Sequence, residues 1–134
     1  MKRRPIDERA ASIVMAAPAG RRLSPRERAL LDARSVGHLI LFRRNLRDRE
    51  EVRELAREAR ARIGRRALVA VDQEGGIVAA AADVAGRPPS AMHLGAEGNA
   101  ARVRAIARHQ AALLRAVGID MVLAPVLDVQ SPDW

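Results

Sequence analysis

Two carboxylates and a pair of glycines directly follow a short apolar run in the stretch Leu68 to Gly76, LVAVDQEGG. Asp72 and Glu74 can accept hydrogen bonds from hydroxyl groups or exchange protons, and the glycines permit a sharp turn or a close approach to a ligand. The apolar run lacks the alternation of a half-buried strand, which predicts a strand buried on both faces. Ligands bind at the carboxyl ends of such strands in parallel α/β folds, so this stretch is the main candidate site.

The elements that must position these residues follow from hydrophobic patterns and helix caps. Ser24 and Glu27 predict a helix that begins with a capping box and runs to about Arg34. Asp48 and Glu51 repeat that pattern. Two further helices are predicted, one over 48–64 and one over 99–118. Four strands are predicted over 12–17, 37–42, 68–71 and 119–124. The stretch 77–85 carries no assignable period, and 131–134 is predicted to be a loop.

The order of these elements predicts an α/β fold with about four parallel strands and covering helices. Crossovers of helical length join the strands, which suits either a doubly wound sheet or a (β/α)8 barrel. No glycine-rich phosphate loop follows the first strand, and several strands end in a polar or charged side chain, which favours the barrel. A complete barrel needs about 250 residues. We therefore expect residues 1–134 to form a single incomplete domain, the amino-terminal half of a barrel.

Composition and charge exclude several classes of function. The chain has no cysteine, which fits a reducing compartment, and no apolar stretch approaches the length of a membrane span. The net charge of +8 comes almost entirely from arginine in residues 1–66, and one Phe, one Trp and no Tyr leave few side chains for base stacking. We expect a cytoplasmic protein that binds neither nucleic acid nor membranes, with solvated helix faces explaining the basic charge.

The histidines do not suggest a metal site. His38 lies within a predicted strand, His93 in the loop before the long helix and His109 on that helix. None has a ligand partner at a suitable spacing, so each is interpreted as structural or exposed. The sequence predicts neither a metal nor a cofactor.

Four motifs together resemble a known family. GHLILFRRN, LVAVDQEGG, PPSAMHLGA and VGIDMVLAPVLDV occur in the order and spacing of the amino-terminal part of glycoside hydrolase family 3, and they are most similar to its bacterial β-N-acetylhexosaminidase branch. The resemblance covers about residues 13–133. It implies a (β/α)8 barrel and retaining exo-hydrolysis of O-glycosyl bonds, with removal of terminal β-linked N-acetylglucosamine from cell-wall fragments during cell-wall recycling. The implied substrate is a carbohydrate.

The resemblance also implies roles for individual residues. Asp72 would hydrogen-bond sugar hydroxyls, which a carboxylate does with charge-assisted strength, and the alternative is a structural cap. Four residues would support the site: Arg44, Asn45, Glu74 and Asp128. Glu74 would hold its loop through Arg44. Family members usually carry basic or polar residues after DQEGG, where this chain has Ile77, Ala79 and Ala80.

No complete pair of catalytic groups is expected in this chain. Retaining hydrolysis by two carboxylates requires them on opposite sides of the scissile bond, about 5 to 5.5 Å apart. Asp72 and Glu74 lie on one short turn and belong to one side of any pocket. The first hypothesis is therefore a truncated glycosidase half that is inactive alone. The alternatives are a sugar-binding or half-barrel assembly module that self-associates through open sheet edges, and a basic nucleic-acid-binding surface.

Overall fold

A four-stranded parallel sheet forms the centre of the structure, a computed structural model that describes residues 9–128. Its strands are β1 (Met15–Ala16), β2 (His38–Leu41), β3 (Val69–Val71) and β6 (Met121–Val122). Their spatial order, β1-β2-β3-β6, follows their order in the chain. A doubly wound sheet reverses its order at a switch point, whereas a (β/α)8 barrel adds strands in sequence. The fold is therefore α/β and corresponds to the amino-terminal half of a barrel, as the sequence predicts.

Helices connect the strands, and three of the five begin where the sequence predicts. The helices are α1 (Pro25–Asp32), α2 (Arg49–Ile63), α3 (Ala82–Ala85), α4 (Ala91–Glu97) and α5 (Ala100–Ala116), with a 3-10 turn at Arg43–Asn45. Ser24 caps α1 in a complete capping box with Glu27. Asp48 caps α2 by accepting from two backbone amides, but Glu51 does not complete a box there, since its carboxylate pairs with Arg21 at 3.1 Å. The prediction of an N-cap at Asp48 is therefore confirmed, whereas the predicted capping box with Glu51 is not formed.

Strand β3 lies at the centre of the hydrophobic core. Its three residues are all buried, which confirms the prediction of a strand covered on both faces. Leu68, which the sequence places in the strand, is 39% exposed and precedes it. Leu41 on β2 and Val52 on α2 are fully buried and belong to the same cluster. The core therefore includes the sheet and the inner face of α2, together with residues of α1, α3 and α5.

The segment between β3 and α5 contains structure that the sequence patterns do not reveal. An antiparallel hairpin of β4 (Gln73–Gly75) and β5 (Val78–Ala79) follows β3 directly, and α3 comes next. The sequence interpretation of His93 as a loop residue was wrong: it lies on α4, which Ser90 caps by accepting a hydrogen bond from the His93 amide at 3.2 Å. The terminal loop predicted over 131–134 lies outside the described residues.

The outer face of α2 is tied to α1 by ion pairs. Glu58 accepts hydrogen bonds from Arg28 at 2.7 Å and from Arg62 at 3.2 Å. The hydrogen bond from Arg28 is the main reason that the pKa of Glu58 lies below its ordinary value of 4.5, because it outweighs the opposing effect of partial burial. Arg62 also pairs with Asp32 at 2.7 Å. These contacts hold the two helices side by side on one face of the sheet.

At the opposite end of the strands, the His38 ring bridges two backbone segments. Its Nδ1 accepts a hydrogen bond from the Leu68 amide at 3.0 Å, so the other ring nitrogen carries the proton and donates to the Ser12 carbonyl at 2.9 Å. This pairing gives His38 a structural role at the amino ends of β1, β2 and β3.

Candidate functional site

Asp72 lies at the carboxyl end of β3, between that strand and the hairpin. Its backbone carbonyl accepts a hydrogen bond from Ala80 at 3.0 Å, which closes the base of the hairpin. Its side chain is partly buried and forms neither a hydrogen bond nor an ion pair with any described residue. The carboxylate therefore retains its full capacity to accept hydrogen bonds from a ligand.

The register of the sheet brings two predicted site regions to one edge. Leu41 of β2 pairs with Val71 of β3, so the residues that follow each strand emerge side by side. The 3-10 turn containing Arg44 and Asn45 is on one side and Asp72 on the other. The structure thus places Arg44, Asn45 and Asp72 in segments that directly follow two neighbouring strands, with Glu74 two residues further along the chain on β4.

Asn45 joins the loops that follow β1 and β2. It is fully buried, and its Nδ2 donates to the carbonyls of Pro18 at 3.1 Å and Gly20 at 2.6 Å. Its Oδ1 accepts from the Phe42 amide at 2.9 Å. Since the side chain uses both its donors and its acceptor on backbone groups, it fixes the two loops against each other. Asn45 is thus a structural support of this edge.

Arg44 does not pair with Glu74. Its Nε donates to the Pro18 carbonyl at 3.2 Å, and its guanidinium lies over the Phe42 ring, 5.0 Å from the ring centre. Glu74 is half-buried on β4 and forms no ion pair within the described part of the chain. The expected link between these two residues is therefore not formed, because Arg44 is held on the loop after β1.

The glycines after Glu74 permit a close approach between two segments. Gly75 has φ +98°, and a Cβ there would lie 2.2 Å from the Pro89 carbonyl oxygen. Gly76 donates its amide to the Pro88 carbonyl at 2.9 Å, and Arg87 donates to the Gly76 carbonyl. Residues 87–89 therefore pack directly on the turn of the hairpin. The glycine pair therefore forms a sharp turn, one of the two predicted roles, and its close contact is with this backbone segment.

Gln73 is a support residue that the sequence analysis missed. It is 5% exposed, and its Oε1 accepts from the Ala81 amide at 3.0 Å. Its Nε2 donates to the Gly86 carbonyl at 2.9 Å and to Gln110 on α5 at 3.2 Å. The sequence carries no distinct signal for this role, because Gln73 lies between two other polar residues, Asp72 and Glu74. Gln73 anchors the hairpin that begins beside Asp72 to α5.

Asp128 is exposed and has no hydrogen-bond partner among residues 9–128. Strand β6 ends at Val122, earlier than predicted, so Asp128 lies well beyond the strand end. The structure does not bring it into contact with the Asp72 region. Its proposed supporting role stays a prediction.

Comparison with known proteins decides the family. The family model described as "Glycosyl hydrolase family 3 N terminal domain" matches residues 6–134. The chain belongs to glycoside hydrolase family 3. A β-hexosaminidase from Idiomarina loihiensis is 42% identical over 115 residues, which cover 83% of this chain and 35% of that protein. Another β-hexosaminidase, from Chromobacterium violaceum, is 41% identical over 127 residues, which cover 90% of this chain and 35% of that protein.

Solved structures of family 3 proteins agree with the fold. A β-N-acetylglucosaminidase from Paenibacillus superimposes with a TM-score of 0.86 at 33% identity, over 95% of this chain and 25% of its own. NagZ from Neisseria gonorrhoeae, in complex with N-trifluoroacetyl-D-glucosamine, superimposes with a TM-score of 0.77 at 35% identity. The match covers 87% of this chain and 36% of the NagZ chain. The family 3 chain thus spans about a third of the curated relatives it matches.

The three apolar residues that follow the DQEGG motif lie in the hairpin or directly after it. Ile77 is 96% exposed at the hairpin tip, whereas Ala79 is buried on β5 and Ala80 packs against the core. None of the three carries a group that could bind a sugar hydroxyl. Across the described part of this family 3 chain, His, Cys, Asp and Glu side chains form no cluster suited to a metal ion, and no helix is both long and apolar enough to cross a membrane.

Proposed function

We propose that this chain provides the amino-terminal half of a β-N-acetylhexosaminidase barrel that removes terminal β-linked N-acetylglucosamine with retention of configuration. The observation that carries the proposal is the unpartnered Asp72 carboxylate at the carboxyl end of β3, in a chain of family 3. The active sites of (β/α)8 enzymes lie at this face of the barrel. The relatives named β-hexosaminidase support this substrate class. We also propose a cytoplasmic role in cell-wall recycling.

In this proposal, Asp72 binds substrate and does not perform the bond cleavage. A carboxylate can accept two hydroxyl donors at once, and each such bond is stronger than a neutral one because the acceptor is charged. Asn45 and Gln73 support the loops on either side of it without contacting the sugar. The hairpin and the 3-10 turn would then form adjacent parts of the sugar pocket.

We propose that the 134-residue chain does not hydrolyse glycosides by itself. A retaining mechanism needs a nucleophile and an acid/base on opposite sides of the scissile bond. Asp72 and Glu74 are neighbours at one strand end, so they approach a bound sugar from the same side. The remaining groups would come from the other half of the barrel.

Two measurements on the purified chain test the proposal. The first is release of 4-nitrophenol from 4-nitrophenyl N-acetyl-β-D-glucosaminide, for which we expect no turnover above buffer; steady turnover would refute the inactivity. The second is binding of N-acetylglucosamine, followed by NMR. Asp72→Asn should weaken binding about tenfold, in line with the loss of one charge-assisted contact, while Asp83→Asn, an exposed acid on α3, should not. Equal affinities for wild type and Asp72→Asn would refute the role of Asp72.

The sheet edges favour a second candidate, a non-catalytic half-barrel assembly module. In the described sheet, β1 and β6 each pair with a strand on one side only. Unpaired strand edges offer backbone donors and acceptors to another chain. Sedimentation velocity over a range of protein concentrations distinguishes the two, since an assembly module should form a discrete dimer. A chain that stays monomeric throughout would rule out self-assembly.

A further inference from the structure

A side-chain amide on helix α5 reaches the segment that directly follows Asp72. Gln110 lies on α5 and is half-buried. Its Oε1 accepts a hydrogen bond from Gln73 Nε2 at 3.2 Å, and its own Nε2 donates to the Ala85 carbonyl at 3.2 Å. Gln110 and Gln73 are 37 residues apart in the chain, so the tertiary fold brings the two side-chain amides together.

Backbone groups fix the orientation of both side-chain amides. The Ala81 amide can only donate, so Gln73 turns its side-chain oxygen towards it, at 3.0 Å. The carbonyls of Gly86 and Ala85 can only accept, so each faces a side-chain NH2 group. Gln73 therefore presents its NH2 group to Gln110, which must accept there with its oxygen. A side chain at position 110 thus has to accept from Gln73 and donate to Ala85 at the same time.

The backbone on both sides of Asp72 is held by hydrogen bonds. On its amino-terminal side, the Val71 carbonyl accepts from the amide of Leu123, just after β6, at 3.0 Å. On its carboxyl-terminal side, the anchor is the side chain of Gln73, which Gln110 holds from α5. The Asp72 carboxylate has no partner among the described residues. Its position therefore depends on the backbone that carries it.

We propose that Gln110 is a positioning residue for the sugar site, which fixes through Gln73 the backbone that directs the Asp72 carboxylate towards the sugar. This inference rests on the proposed function, and it adds a residue on α5 that sets how tightly the sugar is bound without contacting it. A group that has to be ordered during binding lowers the affinity, since its lost freedom opposes association. With Gln110 in place, the backbone of Asp72 is already ordered before the sugar binds.

Replacement of Gln110 by methionine tests the inference. Gln110→Met keeps a flexible side chain of similar length but makes neither hydrogen bond, and the site is only half-buried, so the chain should stay folded. Binding of N-acetylglucosamine to the 134-residue chain, followed by NMR, should weaken about three- to tenfold.

His109→Met is the matched control for this substitution. His109 is the preceding residue on α5, is exposed and forms no hydrogen bond or ion pair with any described residue. His109→Met should bind N-acetylglucosamine as the wild type does. Wild-type affinity in Gln110→Met, or an equal loss in His109→Met, would overturn the inference.

The variant Gln110→Glu gives a pH profile that a general loss of stability would not produce. Its ionised carboxylate can accept from Gln73 but cannot donate to the Ala85 carbonyl, whereas the protonated acid can do both. The facing carbonyl oxygen and partial burial should raise the pKa of the new carboxyl group above its ordinary value. The affinity relative to wild type should therefore be low at pH 8 and recover towards pH 5. A ratio that does not change with pH would contradict the inference.

Other charged groups near position 110 do not disturb this comparison. They line the same open groove as Gln110 and are Arg49, Asp83, Arg87 and His109. None of them forms a hydrogen bond or ion pair with Gln110. Because wild type and Gln110→Glu share these groups, the ratio of the two affinities reports the new carboxyl group.

Hydrogen exchange separates this inference from the proposed function, because it needs no sugar. The Ala81 amide donates to Gln73, whereas the Leu39 amide donates to the Leu68 carbonyl in the sheet at 2.9 Å. Gln110→Met should speed exchange at Ala81 about tenfold relative to Leu39. Unchanged exchange at Ala81 would overturn the inference even if the sugar affinity falls. Absence of sugar binding by the wild type would overturn the proposed function, and the exchange at Ala81 would still decide whether Gln110 positions the backbone of Asp72.

Discussion

Helices α2 and α5 are similar in length and both carry an apolar stripe, yet they are buried to very different extents. On α2, four residues of the stripe are buried, including Leu55 and Ala59. On α5 only Leu114 is buried, and Val103, on its apolar stripe, is 39% exposed. The comparison shows that periodicity specifies a helix, whereas burial depends on what lies opposite it. Most core residues of the described chain lie in β2, β3, α1, α2 and the loops between them.

The largest contrast is expected between matched truncations on these two helices. Leu55→Ala removes a side chain that is 2% exposed and should cost about 2 to 5 kcal/mol of unfolding free energy through lost burial and a residual cavity. Val103→Ala should cost less than about 1 kcal/mol, because the side chain is already partly in water. Urea unfolding followed by circular dichroism measures both. Similar losses at the two positions would show that α5 is packed more tightly than the structure indicates.

Glycine substitutions extend the comparison to the turn beside Asp72. Gly75→Ala should destabilise the chain by about 2 to 4 kcal/mol, since the new methyl group would overlap the Pro89 carbonyl at a positive φ. Gly95→Ala on α4 has no atom within 4 Å of the added carbon and should stabilise by about 0.5 to 1 kcal/mol. Thermal unfolding of both variants checks the signs. A neutral Gly75→Ala would refute the close contact between the hairpin and residues 87–89.

Two asparagines provide a third contrast, between a buried loop connection and an exposed helix cap. Asn45→Ala leaves the buried carbonyl of Pro18 and the partly buried backbone groups of Gly20 and Phe42 without their partner and should cost about 1 to 3 kcal/mol. Asn99→Ala removes only the N-cap of α5 and should cost about 1 kcal/mol or less. The urea midpoints of unfolding of the two variants show which substitution destabilises the chain more. A larger loss for Asn99→Ala would contradict the assignment of Asn45 as the main support of this edge.

The smallest expected effect is the pH dependence of the ion pairs between α1 and α2. Because the folded-state pKa of Glu58 is lowered, its carboxylate stabilises the fold above its ordinary value of 4.5, and this contribution is lost as the pH falls through the folded-state pKa. Glu58→Gln should therefore cost about 0.2 to 1 kcal/mol at pH 7, with a difference from wild type that shrinks at acid pH. Unfolding at pH 7 and below pH 4 measures this. A difference independent of pH would refute the electrostatic origin.

Local signals in the sequence predicted the features that depend on neighbouring residues. The capping box of Ser24 and Glu27, the helix cap at Asp48, the start of a long helix near Asn99 and the buried strand before Asp72 are all observed. Each of these features depends on residues that lie within a few positions of one another, so the sequence pattern alone is enough to predict it. The prediction of half a barrel followed from the sequence of these elements together with the resemblance.

Features that depend on distant contacts could not be predicted. The hairpin after Asp72 relies on the packing of Gly75 against Pro89. Helix α4 begins shortly after Pro88 and Pro89 and has no strong apolar period in its sequence. The burial of Asn45 arises from carbonyls more than 20 residues earlier in the chain. Arg44 likewise finds its partner on the loop after β1, whereas the sequence suggested Glu74. In each case the local sequence is compatible with several partners, and the tertiary fold selects one.

The order of the sheet has a consequence for how the chain can be built during synthesis. Each of β2, β3 and β6 pairs with a sheet strand that the ribosome has already produced, because spatial order follows chain order. A doubly wound sheet must instead leave one side open until a later strand returns to it. Here the growing chain can add one strand and its helix at a time to the strand made before it, and only the outer edge of β1 stays unpaired while β2, β3 and β6 are added.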